Sequence, residues 1–163
     1  MKVNYTEINK RAVDLLLSIK KHVPTIDPNL KALVEIRVSQ INGCAFCVDL
    51  HSIEARQMGE IQQRLDCLPV WKKSQLFSES EMVALNWAEI VTNISTEPDI
   101  DQKLKVLLEH YSEAESVDLT LIISLMNCLN RLAISFGDIP PQRNACSRLS
   151  KPLRVLLTAD AGR

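Results

Sequence analysis

The chain has 163 residues with 19 basic and 20 acidic side chains, which give a net charge of −1. This length suits one domain with a sizeable buried core. The balanced charge, without a basic run interleaved with aromatic residues, argues against nucleic acid as the main partner. We expect a single domain over residues 1–163, with a core at about 28–137 and a C-terminal arm at 138–163.

The sequence predicts a cytoplasmic protein that has no membrane partner. The first five residues lack the apolar core of a signal peptide, and the longest apolar stretch, Leu119 to Phe136, is interrupted by polar residues. A membrane helix needs about 20 predominantly apolar residues. The five cysteines are an odd number and lack the density of a secreted disulfide framework, which fits a reducing compartment.

Apolar residues recur at helical spacing along the chain, which predicts an all-α fold. Thr6 is the predicted cap of a first helix that reaches about Lys21, and Asp27-Pro28 is a start signal for the second. The second helix breaks at Asn42-Gly43, and Gly59 fits the end of the third. Later helix starts are predicted at Ser78-x-x-Glu81, Asp99 and Ser112-x-x-Glu115.

The third predicted helix begins at a Cys-x-x-Cys pair, Cys44 and Cys47, and His51 follows four residues after Cys47. These spacings place the three side chains on one helix face. The free N–H groups and the dipole of the first turn stabilise a thiolate, which favours Cys44 as the thiol of lower pKa. An imidazole takes or delivers protons near neutral pH. The face therefore combines a nucleophile, a resolving thiol and a proton-transfer group, as reversible thiol chemistry requires.

Glu35 lies in the preceding helix and is the carboxylate that we expect to orient the imidazole of His51, provided that the two helices pack antiparallel. Asp49 and Glu54 rank below it as partners of this ring. Glu35, Cys44, Cys47 and His51 are therefore the candidate catalytic residues.

Other functions remain open for the same residues. The thiol pair also suits a thiol–disulfide oxidoreductase or a redox sensor. A Cys-x-x-Cys pair is half of a zinc site, so a helical assembly module that holds a metal through Cys44, Cys47 and His51 is a further alternative. We expect no cofactor. The other cysteines are predicted to be structural, since isolated thiols are commonly buried: Cys67, Cys128 and Cys146.

The run LVEIRVSQINGCAFCVDLH, residues 33–51, resembles the core of the AhpD-like alkylhydroperoxidases, which belong to the carboxymuconolactone decarboxylase superfamily. This resemblance implies an all-helical domain that forms homo-oligomers, trimers or hexamers, and reduces hydroperoxides through a dithiol–disulfide cycle. It spans residues 30 to 136 approximately and includes further segments: Glu54-Ala55-Arg56, Gly59-Glu60, Arg64-Leu65, Trp71, Phe77-Ser78, Ala84–Glu89 and Asn130–Ile134.

The resemblance also implies a role for each residue of the motif. Cys47 would attack the peroxide, while Cys44 would resolve the sulfenic acid and meet the reductant, a lipoyl or thioredoxin-like dithiol protein. His51 would relay protons with a glutamate of the preceding helix. The family's usual position for that glutamate is occupied by Ala32 here, and Glu35, one turn later on roughly the same face, is expected to substitute.

Overall fold

The computed structural model describes residues 2–143, and all regular structure within this range is helical. The predicted fold class is therefore confirmed. Cys146 and the predicted arm beyond residue 143 lie outside the described residues. Short 3-10 helices at Ile19–Lys21, Leu68–Lys73 and Ile94–Thr96 connect the longer elements. The α-helices are α1 (Tyr5–Ile8), α2 (Lys10–Ser18), α3 (Pro28–Asn42), α4 (Ala45–Gln57), α5 (Gln62–Cys67), α6 (Glu79–Thr92), α7 (Ile100–Leu108) and α8 (Glu113–Ser135).

Side-chain caps start four of these helices where the sequence predicts them. Asp27 accepts hydrogen bonds from the first free N–H groups of α3, and Asp99 does the same for α7. Ser78 and Ser112 each form a complete capping box, in which the serine and the glutamate three residues later bind each other's backbone N–H. These contacts satisfy N–H groups that would otherwise have no partner inside the helix.

The prediction for the first helix is wrong in its cap and in its continuity. Thr6 lies inside α1, and its hydroxyl donates to the Asn4 side chain at 2.7 Å. Asn9 interrupts the helix at φ −131°, and its side chain accepts from the N–H of Ala12 to start α2. Asparagine side chains compete with the helical backbone for hydrogen bonds, so two short helices replace one long helix.

Helix α3 lies at the centre of the fold, where it packs against α4, α6 and α8. Its apolar residues therefore lie on several sides of the helix instead of forming one stripe. The larger of two apolar clusters joins α3, α6 and α8, and it includes both Cys44 and Cys47. The thiol pair is thus part of the main core. The second cluster packs the segment around Trp71 against the other side of α3 through Leu33, Ile36, Leu65, Leu68, Phe77 and Leu85.

Helix α8 is long and apolar enough to cross a membrane by length and composition. In the fold it lies against α3, α4, α6 and α7, and its residues Leu119, Ile122 and Met126 have no solvent exposure. Its apolar character is therefore accounted for by a central position in the helical bundle.

Glu89 of α6 binds side chains from α3 and from the 3-10 helix Leu68–Lys73. Its Oε1 accepts hydrogen bonds from Nε and Nη2 of Arg37 at 3.0 and 2.7 Å. The same oxygen accepts from Nε1 of Trp71 at 2.7 Å, and Oε2 accepts from Lys72 at 2.7 Å. Burial raises the pKa of Glu89, but the hydrogen bonds from Lys72, Trp71 and Arg37 outweigh it and lower this pKa below its usual value.

We expect Glu89→Gln to lower the free energy of unfolding at neutral pH by about 2 kcal/mol, because charge-assisted hydrogen bonds are lost. The ionised carboxylate stabilises the fold above its ordinary pKa, and this contribution is lost as the pH falls through the lowered folded-state value. The difference between the two proteins should therefore shrink in acid. Urea unfolding across the acid range measures it, with exposed Glu109→Gln as the matched control. A difference that does not change with pH would contradict this account.

Candidate active site

The two thiols meet at the start of α4. Gly43 ends α3 in the left-handed conformation, at φ 71°, and turns the chain into α4. Cys44 is the N-cap residue, and its Sγ accepts a hydrogen bond from the backbone N–H of Cys47 at 3.4 Å. The two Sγ atoms are 2.7 Å apart, and the residues are only 2% and 5% exposed. The predicted pair is thus brought together in a site with little access to water.

The surroundings of the pair favour a thiolate on Cys44. The hydrogen bond from the Cys47 thiol is the main cause that lowers the pKa of Cys44, to about 7. Burial opposes this shift, while the backbone N–H of Cys47, the charge of His51 and a hydrogen bond from Asn130 support it. The same hydrogen bond, burial and the charge on Cys44 raise the pKa of Cys47. This order agrees with the preference that the helix start predicts.

His51 lies one turn beyond Cys47, is 4% exposed and contacts two carboxylates through Nδ1. Oε2 of Glu35, across the α3–α4 interface, is 3.3 Å from this nitrogen. Glu54 is closer, with its Oε2 at 2.7 Å. The sequence ranking of Glu54 below Glu35 is therefore wrong, because residues three apart on a helix share a face. Asp49 does not join this group and instead forms an ion pair with Arg143.

Side chains of both charge signs surround the imidazole of His51. Burial raises the pKa of Glu54, but the hydrogen bond from His51 and the positive charges of His51, Lys20 and Lys31 together lower it below its usual value. The ammonium group of Lys20 lies 2.7 Å from Oε1 of Glu35. Sequence reasoning missed Lys20, since it belongs to no motif and is 15 positions before Glu35 in the printed chain.

Asparagine side chains form a buried polar network next to the thiols. Asn42 donates to the side-chain oxygens of Asn127 and Asn130, at 2.9 Å in both cases. Asn130 has no solvent exposure and donates to the hydroxyl of Ser39 at 3.1 Å. Fully paired buried amides fix the relative positions of α3 and α8. The signal in the sequence is a pair of asparagines, Asn127 and Asn130, inside the long apolar helix α8.

A cavity of about 70 Å³ lies beside the pair and is lined by Cys47 and His51. Helices α1 and α2 and the 3-10 helix after them cover it with residues that include Tyr5, Thr6 and Lys20. Its other walls are mostly apolar: Val13, Leu17, Phe46, Leu50, Met126, Leu129 and Ala133. A small molecule that enters this cavity therefore meets Cys47 next to an imidazole.

Three potential metal ligands lie within 4.8 Å of one another in the described part of the chain: Glu35, His51 and Glu54. This grouping differs from the predicted metal set, since neither thiol belongs to it. The ammonium group of Lys20 already contacts Glu35. A cation would have to displace this protein charge, so the carboxylates are better described as partners of His51 and Lys20.

Cys67 and Cys128 lie outside the candidate site. Cys67 and Cys128 are half-buried free thiols, and Cys67 packs against the second apolar cluster. This surrounding agrees with the structural role predicted for Cys67. The prediction for Cys146 lies outside the described residues.

Known proteins resemble this chain in sequence and in fold. The uncharacterized protein YdfG of Bacillus subtilis is 38% identical over 139 residues, which cover 84% of this chain and 95% of that relative. A crystal structure from Agrobacterium tumefaciens, of a protein of unknown function proposed to be the antioxidant defence protein AhpD, is 31% identical with a TM-score of 0.82. The match covers 87% of this chain and 99% of that one.

A more distant structure, the alkylhydroperoxidase AhpD core of a peroxidase-related protein from Ralstonia eutropha, has a TM-score of 0.73 at 18% identity. The match covers 83% of this chain and 74% of that one, and it shows the fold alone.

The helical fold that these structures share is AhpD-like, and in this chain it carries a buried Cys-x-x-Cys pair at the start of α4. The profile of the carboxymuconolactone decarboxylase family matches residues 7–89. The chain belongs to this family, and the resemblance stated from the sequence is confirmed.

Proposed function

We propose that this protein is a thiol-dependent hydroperoxide reductase that cycles Cys44 and Cys47 between dithiol and disulfide. The observation that carries the proposal is the geometry of the pair: two buried thiols 2.7 Å apart, one of which lines a small cavity together with His51. The likeness to the Agrobacterium protein proposed to be an antioxidant defence protein supports it. A cytoplasmic location and a homo-oligomer, trimer or hexamer, belong to the same proposal.

The first half of the cycle oxidises Cys47. His51 accepts the thiol proton of Cys47 on Nε2, because Nδ1 must carry a hydrogen to bind Glu54. The Cys47 thiolate attacks the terminal oxygen of the hydroperoxide and the O–O bond breaks. The alkoxide leaves and takes the proton from His51 to become the alcohol. Cys47 is now a sulfenic acid.

The second half closes the disulfide. The Cys44 thiolate attacks the sulfur of the sulfenic acid, an S–S bond forms, and hydroxide leaves and is protonated to water. Two electrons from the thiol pair have then reduced one hydroperoxide to alcohol and water. A dithiol protein of lipoyl or thioredoxin-like type supplies two electrons and two protons, which restore the two thiols.

Stopped-flow mixing of the reduced, metal-free protein with cumene hydroperoxide or with oxidised glutathione tests this function. We expect oxidation by the hydroperoxide to be faster, with the loss of two thiols that mass spectrometry maps to a Cys44–Cys47 disulfide. Faster oxidation by glutathione disulfide would favour the thiol–disulfide oxidoreductase instead. Stoichiometric metal in protein purified without added metal would favour the metal-binding alternative.

A further inference from the structure

Tyr5 lines the thiol cavity from outside the helix that carries Cys47 and His51. It belongs to the short helix α1, and Thr6 is the other residue of that helix that lines the cavity. The remaining walls come from α2, the 3-10 helix after it, α4 and α8. Replacing Tyr5 with a small residue would therefore enlarge the cavity beside Cys47 without a change in the helix that holds the thiols.

The segment that follows α8 holds Tyr5 in this position. The Tyr5 ring packs against Phe136, with the ring centroids 5.3 Å apart and the planes tilted by 30°. Close by, the backbone N–H of Val3 donates to the carbonyl oxygen of Phe136 at 3.1 Å. The ammonium group of Lys2 lies 3.1 Å from the carboxylate of Asp138. These contacts attach the N-terminal residues to the end of α8, so the Tyr5 ring is a positioned wall of the cavity.

The Tyr5 wall is uncharged at neutral pH. Burial and the nearby carboxylate of Asp138 raise the pKa of Tyr5, and the charges of Cys47 and Cys44 add to this rise. The influence of both cysteines agrees with the position of Tyr5 beside the thiol pair. A neutral phenol next to a neutral hydroperoxide acts through its shape, which makes the size of the ring the property to consider.

The proposed reaction requires room on one side of the peroxide. The Cys47 thiolate attacks the terminal oxygen in line with the O–O bond, so the organic group on the second oxygen has to lie on the side away from the sulfur. Hydrogen peroxide carries a hydrogen atom there and needs little space. A branched or aromatic group meets the cavity walls, which include the Tyr5 ring that Phe136 supports.

We propose that Tyr5 is a specificity-determining residue that limits the size of the hydroperoxide reaching Cys47, a role that rests on the proposed function. Its ring, packed against Phe136, occupies space beside Cys47 that a bulky organic group needs. Compact hydroperoxides pass the ring, whereas bulky ones react slowly. Loss of the ring removes this selection and leaves Cys44, Cys47 and His51 in place.

Variants of the full-length protein test the selection by size: Tyr5→Ala, Tyr5→Phe and the matched control Ile8→Ala. Ile8 is a large side chain of the same helix, but it is 75% exposed and does not line the cavity. Stopped-flow oxidation of each reduced protein is measured with hydrogen peroxide and with cumene hydroperoxide. We expect Tyr5→Ala to raise the rate with cumene hydroperoxide, relative to that with hydrogen peroxide, about tenfold. Tyr5→Phe and Ile8→Ala should keep the wild-type ratio of the two rates.

The ratio of the two rates separates selection by size from a general loss of structure, because a disturbed fold changes both rates together. An unchanged ratio in Tyr5→Ala would overturn the proposal. An equal rise in Tyr5→Phe would also overturn it, since the effect would then belong to the hydroxyl group and not to the ring. Tyr5→Leu supplies a second, smaller side chain, with circular dichroism as the check on folding for each variant.

Alkylation of the reduced protein gives a readout that does not require peroxide chemistry. In a Cys44→Ser background, peptide mass spectrometry compares the labelling of Cys47 by iodoacetamide with its labelling by the bulkier fluorescein maleimide. We expect Tyr5→Ala to speed the maleimide reaction at Cys47 about tenfold relative to the iodoacetamide reaction. Labelling of Cys67, which packs against the second apolar cluster, should stay unchanged.

The alkylation result distinguishes the role of Tyr5 from the proposed function. With faster maleimide labelling of Cys47 in Tyr5→Ala, a protein that does not reduce hydroperoxides would contradict the proposed function but support the effect of Tyr5 on access to this thiol. No change at Cys47, or an equal acceleration at Cys67 that indicates general unfolding, would overturn the role of Tyr5.

Discussion

Replacing Cys47 with serine should abolish the reaction with hydroperoxide, whereas Cys44→Ser should stop the cycle one step later, at a sulfenic acid on Cys47. The reason is the geometry of the cavity, whose walls include Cys47 and not Cys44. Cys44→Ser also removes the thiolate charge that raises the pKa of Cys47. Formation of the sulfenic acid should therefore be no slower in Cys44→Ser at neutral pH, although only one turnover is possible.

Dimedone labelling followed by peptide mass spectrometry distinguishes the two thiols. The expected adduct forms on Cys47 in the Cys44→Ser protein, and none forms in Cys47→Ser. Cys128→Ser is the matched control, since this half-buried thiol lies outside the site and its replacement should leave the cycle intact. A dimedone adduct on Cys44 in the Cys47→Ser protein would reverse the roles and make the thiol of lower pKa the attacking group.

Replacing His51 with glutamine should slow the oxidation of Cys47 by about 100-fold, the middle of the range for loss of a general acid–base group. Glutamine keeps a polar side chain against Glu35 and Glu54 but cannot exchange a proton with the thiol or the leaving alkoxide. Stopped-flow oxidation of the reduced protein measures the effect. The matched control is His110→Gln, which changes an exposed imidazole.

The pH dependence of the oxidation rate gives a second test of the role of His51. A variant without proton transfer at residue 51 depends on free thiolate alone, so its rate should rise steadily with pH through the alkaline range. Wild type should reach its plateau at lower pH, because the imidazole accepts the proton of Cys47. If His51→Gln retained the wild-type rate and profile, the relay would not operate through this residue.

Local sequence signals predict most of the helix boundaries, but they do not predict which side chains of different helices contact each other. Asp27, Ser78 and Ser112 act within one turn of chain, so their spacing alone predicts the caps that are observed. Asn9 shows the limit of that approach, since a helical apolar pattern continues through it while its own side chain interrupts the helix.

The site was predictable where its residues share one helix. Cys44, Cys47 and His51 are related by helical spacing, and their proximity follows from it. The pairing of His51 with Glu35 required the assumption that α3 and α4 are antiparallel. Lys20 could not be predicted, because no periodicity relates the 3-10 helix to α3, and only tertiary packing brings its ammonium group to Glu35.

The burial of the thiols limits access in both halves of the proposed cycle, but in different ways for the hydroperoxide and for the protein reductant. A hydroperoxide has to reach Cys47 through a small cavity of about 70 Å³. A protein reductant has to bring its own thiol to two cysteines that are only 2% and 5% exposed. The oxidised protein should therefore wait for a local opening before it is reduced. Turnover at saturating peroxide would then report the rate of this opening, while the single-turnover oxidation rate reports the chemistry.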